Sequence, residues 1–320
     1  MDNTLTISAS PHLHARESTS RIMWLVIAAL LPAGIAGVYI FGPAALWTIL
    51  IGVTSAVAAE CIIQAAMKKK VTIDDGSAVL TGLLLAYNLP AHCPFWIPVV
   101  GSFVAIAIGK QIFGGLGQNI FNPALVGRVF LMASWPQYMT IFTKPLFYDA
   151  VTQATPLALL KENKLFEPLS YLDLFLGNRG GCIGEVCIAA LLLGGIFLLV
   201  RKIITWHVPI SYIATTGLFC WAFGAKTLFA GDWIFHILSG GLFLGAFFMA
   251  TDYVTSPLTA KGQLIFGIGC GLLTAIIRLW GGYPEGVSYA ILIMNAAAPL
   301  IDRYTKNRIY GTQKKHEKPA

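Results

Sequence analysis

Residues 149–156 read D-A-V-T-Q-A-T-P, a polar stretch in a sequence that is otherwise largely apolar. Asp149, Thr152 and Thr155 recur every third residue, and Thr155 stands directly before Pro156. Locally this spells a helix start, with Thr155 as N-cap, Pro156 in the first helical position and L-A-L-L-K as the first turn. A residue before proline is held to extended conformations that present its side chain. A phosphoester formed on such a hydroxyl would face free backbone N–H groups at the positive end of a helix. Capping gives no reason for Asp149, Thr152 or Ala154.

What must position these groups is a membrane domain. Of the 320 residues, 56% are hydrophobic and 12% charged, with a mean hydropathy of +0.71. A bilayer core needs about 20 apolar residues per helix. That rule predicts ten spans, at 22–40, 44–67, 77–92, 95–112, 114–134, 182–200, 208–225, 232–250, 262–280 and 286–302. The expected fold is an all-α polytopic membrane protein in five parts: a cytoplasmic segment 1–21, five spans in 22–134, an outer loop 135–181, five spans in 182–303 and a basic cytoplasmic tail 304–320. No small-residue cleavage site follows the first apolar run, so it is read as an uncleaved helix. With 32 glycines and 16 prolines, many spans are expected to be broken or closely packed.

Lys and Arg set the orientation. With the N-terminus inside, fifteen of the 22 basic residues fall on the inner side, Lys68 to Lys70 and Lys110 among them, six fall outside, and Arg128 lies within the fifth span. Both termini are then cytoplasmic and Thr155 faces outward. These span-end residues account for the net charge of +7 and leave no ground for a nucleic-acid partner. The six cysteines and six histidines have no zinc or iron–sulfur spacing, so no metal is expected on this chain.

The two halves resemble each other. GSAVLTGLLLAYNLP (76–90), GGLGQN (114–119) and NPALVGR (122–128) match SGGLFLGAFFMATDYVTSP (239–257), GGYPEG (281–286) and NAAAPLIDR (295–303). Five spans per unit is odd, so two such repeats are expected to be inverted in the membrane, with sites at their interface near broken helices, of which the short, Gly/Pro-interrupted third and fifth spans are the candidates.

With these features in place, D-x-x-T-x-A-T resembles the flavinylation signature of a periplasmic flavin transferase, which joins FMN to the last Thr as a phosphoester. The common form has Gly where this chain has Gln153. Through DDGSAVLTGLLL (74–85), GGLGQNIFNPALVGR (114–128), DAVTQATPL (149–157) and MATDYVTSPLTAKGQ (249–263) nearly the whole chain resembles the D subunit of Rnf-type complexes, the ion-translocating ferredoxin:NAD oxidoreductases. It is similar also to the B subunit of the sodium-pumping NADH:quinone reductase, whose longer N-terminal extension is missing here.

The resemblance implies covalent FMN on Thr155, with Asp149, Thr152 and Ala154 completing the attachment motif. It also implies a second, non-covalent flavin, riboflavin, within the membrane. For that site the candidates are Asn119 and Asn122, whose carboxamides pair with an isoalloxazine edge, and Gly117, which with Gly114 and Gly115 lets a flat ring approach the backbone. The competing reading is that GGLGQN turns the chain and the two Asn cap half-helices. Among the carboxylates near span level, Glu60, Asp75, Glu185, Asp252 and Glu285, Asp252 is the candidate for contact with an ion or flavin. Its competing role is capping the next helix. Arg128 and Arg278 are expected to snorkel or pair with a carboxylate, and Arg128 is a candidate for neutralising a reduced flavin.

The implied partners are an outer-face FMN-carrying subunit, iron–sulfur membrane subunits and a cytoplasmic NAD-binding subunit, within a prokaryotic cell (inner) membrane. Electrons would pass between the outer and inner partners through the flavins, coupled to Na+ or H+. Moving one such ion against about 150 mV costs roughly 3.5 kcal/mol, which a two-electron drop of about 75 mV covers. GGLGQN follows no strand and is no dinucleotide fingerprint, so the catalytic ends belong to partners. The alternative class is a flavin-free solute channel or transporter built from inverted repeats.

Overall fold

The computed structural model describes residues 18–142, 155–162, 170–225 and 227–306. Asp149, Thr152 and Ala154 of the attachment motif lie outside them. Every element among the described residues is helical. Helix α1 (Thr19–Phe41) opens on a Ser18 cap, whose hydroxyl accepts from the Arg21 amide at 3.2 Å. It closes on Gly42, whose φ of 78° turns the chain into α2 (Pro43–Ala66). These two and α13 (Ala260–Trp280) are long and apolar enough to cross a membrane.

Five expected spans are not continuous helices. The 77–92 run is helical only as α3 (Ser77–Tyr87), because the chain turns out ahead of Pro90. The 95–112 run is α4 (Trp96–Ile106) followed by a π-helical turn at Ala107–Gln111. The 114–134 run becomes helical only at α5 (Pro123–Ser134), because Gly114, Gly115 and Gly117 adopt φ of 123°, 112° and 89°. After the short α6 (Pro136–Thr140), α7 (Pro156–Lys161) and α8 (Tyr171–Leu176), the 182–200 run starts late as α9 (Ile188–Val200). Its first residues instead bond the end of α3, Ile183 N to Leu89 O at 3.1 Å and Gly184 N to Tyr87 O at 3.0 Å. Beyond α10 (His207–Phe223), the 232–250 run breaks into α11 (Trp233–Leu238), α12 (Leu242–Leu244) and a second π turn at Gly245–Met249, with Gly240 at φ 71°. Helix α14 (Val287–Tyr304) ends the described chain. An apolar count sees composition and misses these backbone turns.

Helix α2 packs on α3 and α4, α10 on α13, and α1 on α9. Small residues let these backbones close: a Cβ on Gly82 would stand 2.7 Å from Gly52 O and 2.8 Å from Val53 Cα. Between them Leu30, Leu85, Leu191, Leu244 and Phe266 form one fully buried cluster. Both π turns border the same cavity, the first through Lys110 and the second through Phe247 and Phe248. Such turns frequently mark functional sites.

Candidate functional site

Two cavities, named inner and outer only after the orientation expected from the basic residues, carry the polar residues. The inner one gathers Asn119, Asn122 and Asp252, three of the sequence candidates, from segments more than a hundred residues apart. Asn122 caps α5, its Oδ1 accepting from Ala124 N at 3.1 Å and Leu125 N at 3.3 Å, while its Nδ2 donates to Met249 O at 3.3 Å. Asn119 Nδ2 donates to Phe121 O at 3.2 Å. Asp252 accepts from Thr255 Oγ1 at 3.2 Å. Of the three only Asn122 caps a helix: α13 is capped by Thr259 and not, as one sequence reading had it, by Asp252, while Asn119 and Asp252 make contacts within their own turns, and all three line the cavity. Gly117 is not in its wall, and a Cβ there would meet nothing within 4 Å, so this glycine serves its positive φ. The cavity's free volume is about 80 Å³, less than a whole flavin needs, so seating a ring requires Phe247 or its neighbours to move.

Lys110 is the residue that sequence reading misplaced. Counted as an inner-side charge at a span end, it is 2% exposed, and its Nζ lies 2.6 Å from Glu60 Oε1, itself fully buried. The Nζ also donates to Ser77 Oγ at 2.5 Å, and Ser77 Oγ donates to Asp75 Oδ1 at 2.5 Å. Gln64 and Gln111 complete the donors to Glu60 Oε1, at 3.0 Å and 2.9 Å. Lys110 and Ser77 both line the inner cavity. The signal that could have found the pair is its isolation, one acid and one base each alone in an apolar run.

The outer cavity is roomier, with a free volume of about 360 Å³, within the range of small-molecule sites. Thr155 stands in its wall, 4% exposed, its Oγ1 accepting from Ala158 N at 3.3 Å as the cap of α7. The T-P signature is therefore met as geometry. Helix α7 has only six residues, so little helix dipole is available to an anion there. Arg128, Glu285, Tyr283 and Tyr289 line the same cavity, the two tyrosine rings stacked at 4.9 Å.

Arg128 pairs with Glu285 and bonds Asn88 Oδ1. Among the described residues Arg278 takes no carboxylate and donates instead to the carbonyls of His236 at 2.5 Å, Ser239 at 3.0 Å and Glu285 at 3.0 Å. Beside them Arg179 donates to Glu185 O at 3.3 Å, and Glu185 Oε1 accepts from Cys182 N at 3.0 Å. The cavities are linked through the protein. Asn88 donates to Met249 Sδ at 3.7 Å, and Asn122 holds the Met249 carbonyl. Asn122 and Arg128 are six residues apart on α5, about 9 Å of helix rise.

Comparison with known proteins places this geometry in a family. Residues 6–311 match the model of the NQR2, RnfD, RnfE family. The chain is 56% identical over 312 residues to the D subunit of the Na(+)-translocating ferredoxin:NAD(+) oxidoreductase complex of Acetobacterium woodii, covering 97% of this chain and 96% of that one. It is 51% identical over 323 residues to the D subunit of the proton-translocating complex of Clostridium ljungdahlii, covering 98% of each. With the D subunit of the ion-translocating oxidoreductase complex of Escherichia coli, identity is 39% over 349 residues, covering 96% and 99%. The chain belongs to the NQR2, RnfD, RnfE family, as its motifs led the sequence reading to expect.

Proposed function

We propose that this chain is a membrane subunit of an ion-translocating ferredoxin:NAD oxidoreductase, carrying FMN as a phosphoester on Thr155 and relaying electrons between an outer-face flavoprotein subunit and a cytoplasmic NAD-reducing subunit. The names of its relatives support the first part. The observation that carries the second is the outer cavity, where a buried threonine hydroxyl shares a wall with a guanidinium and a stacked tyrosine pair. Those residues fit the group: Thr155 would anchor its phosphate, Arg128 would face its charge, and Tyr283 or Tyr289 would lie against its ring. FMN bound there supplies one- and two-electron transfer. The membrane is a bacterial cell membrane, with the Thr155 side outward.

A second, non-covalent flavin, riboflavin, belongs in this reading at the inner cavity, where Asn119, Asn122 and Asp252 meet. The route from Arg128 through Asn88 and Met249 to Asn122 favours a relay between the two sites. The inverted repeat draws support from contacts between counterpart motifs. With its amide turned to satisfy its neighbours, Asn295 accepts from Asn122 N at 3.3 Å, and Gly76 and Gly240, at matching places, have φ of 75° and 71°. The relatives' names specify Na+ in one case and protons in another, so the coupled ion is proposed only as a monovalent cation.

The test is Thr155→Ala, produced in a host that has the flavin transferase. The variant is expected to insert in the membrane and lose the in-gel flavin fluorescence of the wild type. Fluorescence retained at full intensity defeats the assignment.

A further inference from the structure

The buried cluster behind the outer cavity is unbalanced in charge. Arg128, Arg179 and Arg278 are 5%, 3% and 5% exposed, against two acids, Glu185 at 2% and the partly buried Glu285. With both carboxylates ionised the cluster holds three positive and two negative charges, an excess of one. Arg179 carries that excess visibly, since its Nε and Nη1 are buried with no hydrogen-bond partner among the described residues. Cys182, Glu185 and Glu285 place ligand atoms within 4.8 Å of one another, a spacing that would suit a cation. A cluster already positive opposes one, and Arg128 occupies Glu285. An isolated charge this far from water is costly unless it is compensated. Lys161 and Glu162 at the end of α7 are exposed and of opposite sign, and although Glu162 also lines the cavity the two together leave the sum over the described residues unchanged.

We infer that the Arg128–Arg179–Arg278 cluster is the fixed counter-charge of an anionic redox group in the outer cavity, and that its single excess charge sets that group's reduction potential. The inference rests on the proposed attachment at Thr155. A phosphodiester on that hydroxyl carries one negative charge, which the excess matches, and any further negative charge gained on reduction lies in the same field. Arg128 and Glu285 reach the cavity wall. Arg179 is a positioning residue, acting through Glu185 and its neighbours. Helix α7 brings the anchor to the cluster: a Cβ on Gly240 would lie 2.9 Å from Leu157 Cδ1, 3.2 Å from Arg278 Nη2 and 3.7 Å from Glu285 Cγ.

The signature is a pair of opposite shifts. Arg179→Gln removes the excess, and Glu285→Gln doubles it. Redox titration of the covalent flavin in the purified full chain, followed by absorbance, reads both. Arg179→Gln is expected to disfavour reduction about tenfold, which is about 30 mV downward for a two-electron couple, and Glu285→Gln to shift the potential upward. Arg179→Lys, which keeps the charge, should stay near the wild type. A merely structural role would move both neutral variants in one direction or neither, and either result overturns the inference. If Arg179→Gln fails to accumulate, the sign of the Glu285→Gln shift still decides. Absence of in-gel flavin fluorescence from the wild type defeats the attachment at Thr155 and the inference with it. Fluorescence with unmoved potentials defeats the inference alone.

Discussion

Replacing Lys110 by Met removes the positive half of the fully buried ion pair beside the inner cavity. At 2.6 Å and an effective dielectric of about 20, the attraction between Lys110 and Glu60 is about 6 kcal/mol. Desolvation costs several kcal/mol for each ion and offsets most of that gain. In Lys110→Met, Glu60 keeps only the amides of Gln64 and Gln111 as donors, and its Oε2 is already without a partner. An uncompensated buried charge of this kind costs about 3–5 kcal/mol. The double variant Glu60→Gln/Lys110→Met removes both charges, and such replacements run from neutral to stabilising by about 1–4 kcal/mol. Unfolding of the wild type, the single and the double variant in the same detergent micelles measures the difference. The single change should be strongly destabilising and the double change should recover most of the loss. A double variant as unstable as Lys110→Met would show that the pair does not carry the site's electrostatics.

Other substitutions test the packing and the caps. Gly82→Ala should destabilise the α2–α3 contact by about 1–3 kcal/mol through overpacking, because its new methyl meets the backbone of Gly52 and Val53. Gly282→Ala, with nothing within 4 Å of the new atom, is the control and should be neutral by the same unfolding assay. Asn122→Ala should cost about 1 kcal/mol as a lost cap. Asn122→Asp should recover that stability while losing the bond to Met249 O, so non-covalent flavin content, measured after extraction, should fall in both variants.

Much of the site was legible because its signals are local. A threonine ahead of a proline specified a cap, and Thr155 makes it. Asn122 ahead of Pro123 did the same for α5. The pairing of Arg128 with a carboxylate followed from the cost of leaving it alone in the membrane, and Glu285 supplies it. What stayed hidden depends on turns and long-range partners. Lys110 looked like a span-end charge because an apolar count treats the π turn at Ala107–Gln111 as the end of a helix, whereas its partner Glu60 lies 50 residues back. Arg278 finds carbonyls where a carboxylate was an equal expectation, because the break around Ser239 and Gly240 exposes backbone oxygens to it. The broken spans were foreseen from glycine and proline content as a class. The interruptions of the third and fifth spans were singled out and are there, but those of the fourth, sixth and eighth were not, since glycine and proline alone do not mark a break: Gly34 and Pro32 sit inside the continuous α1 while Gly240 follows the end of a helix.

The most direct test of the account is the mass of the tryptic peptide spanning residues 129–161, released by cleavage after Arg128 and Lys161, since the Lys144–Pro145 bond resists trypsin. From membranes of a host able to attach flavins, the account predicts this peptide heavier by FMN less one water, with fragmentation locating the addition on Thr155. The same peptide at its bare mass, from cells in which other proteins carry the modification, would contradict it and favour the flavin-free channel.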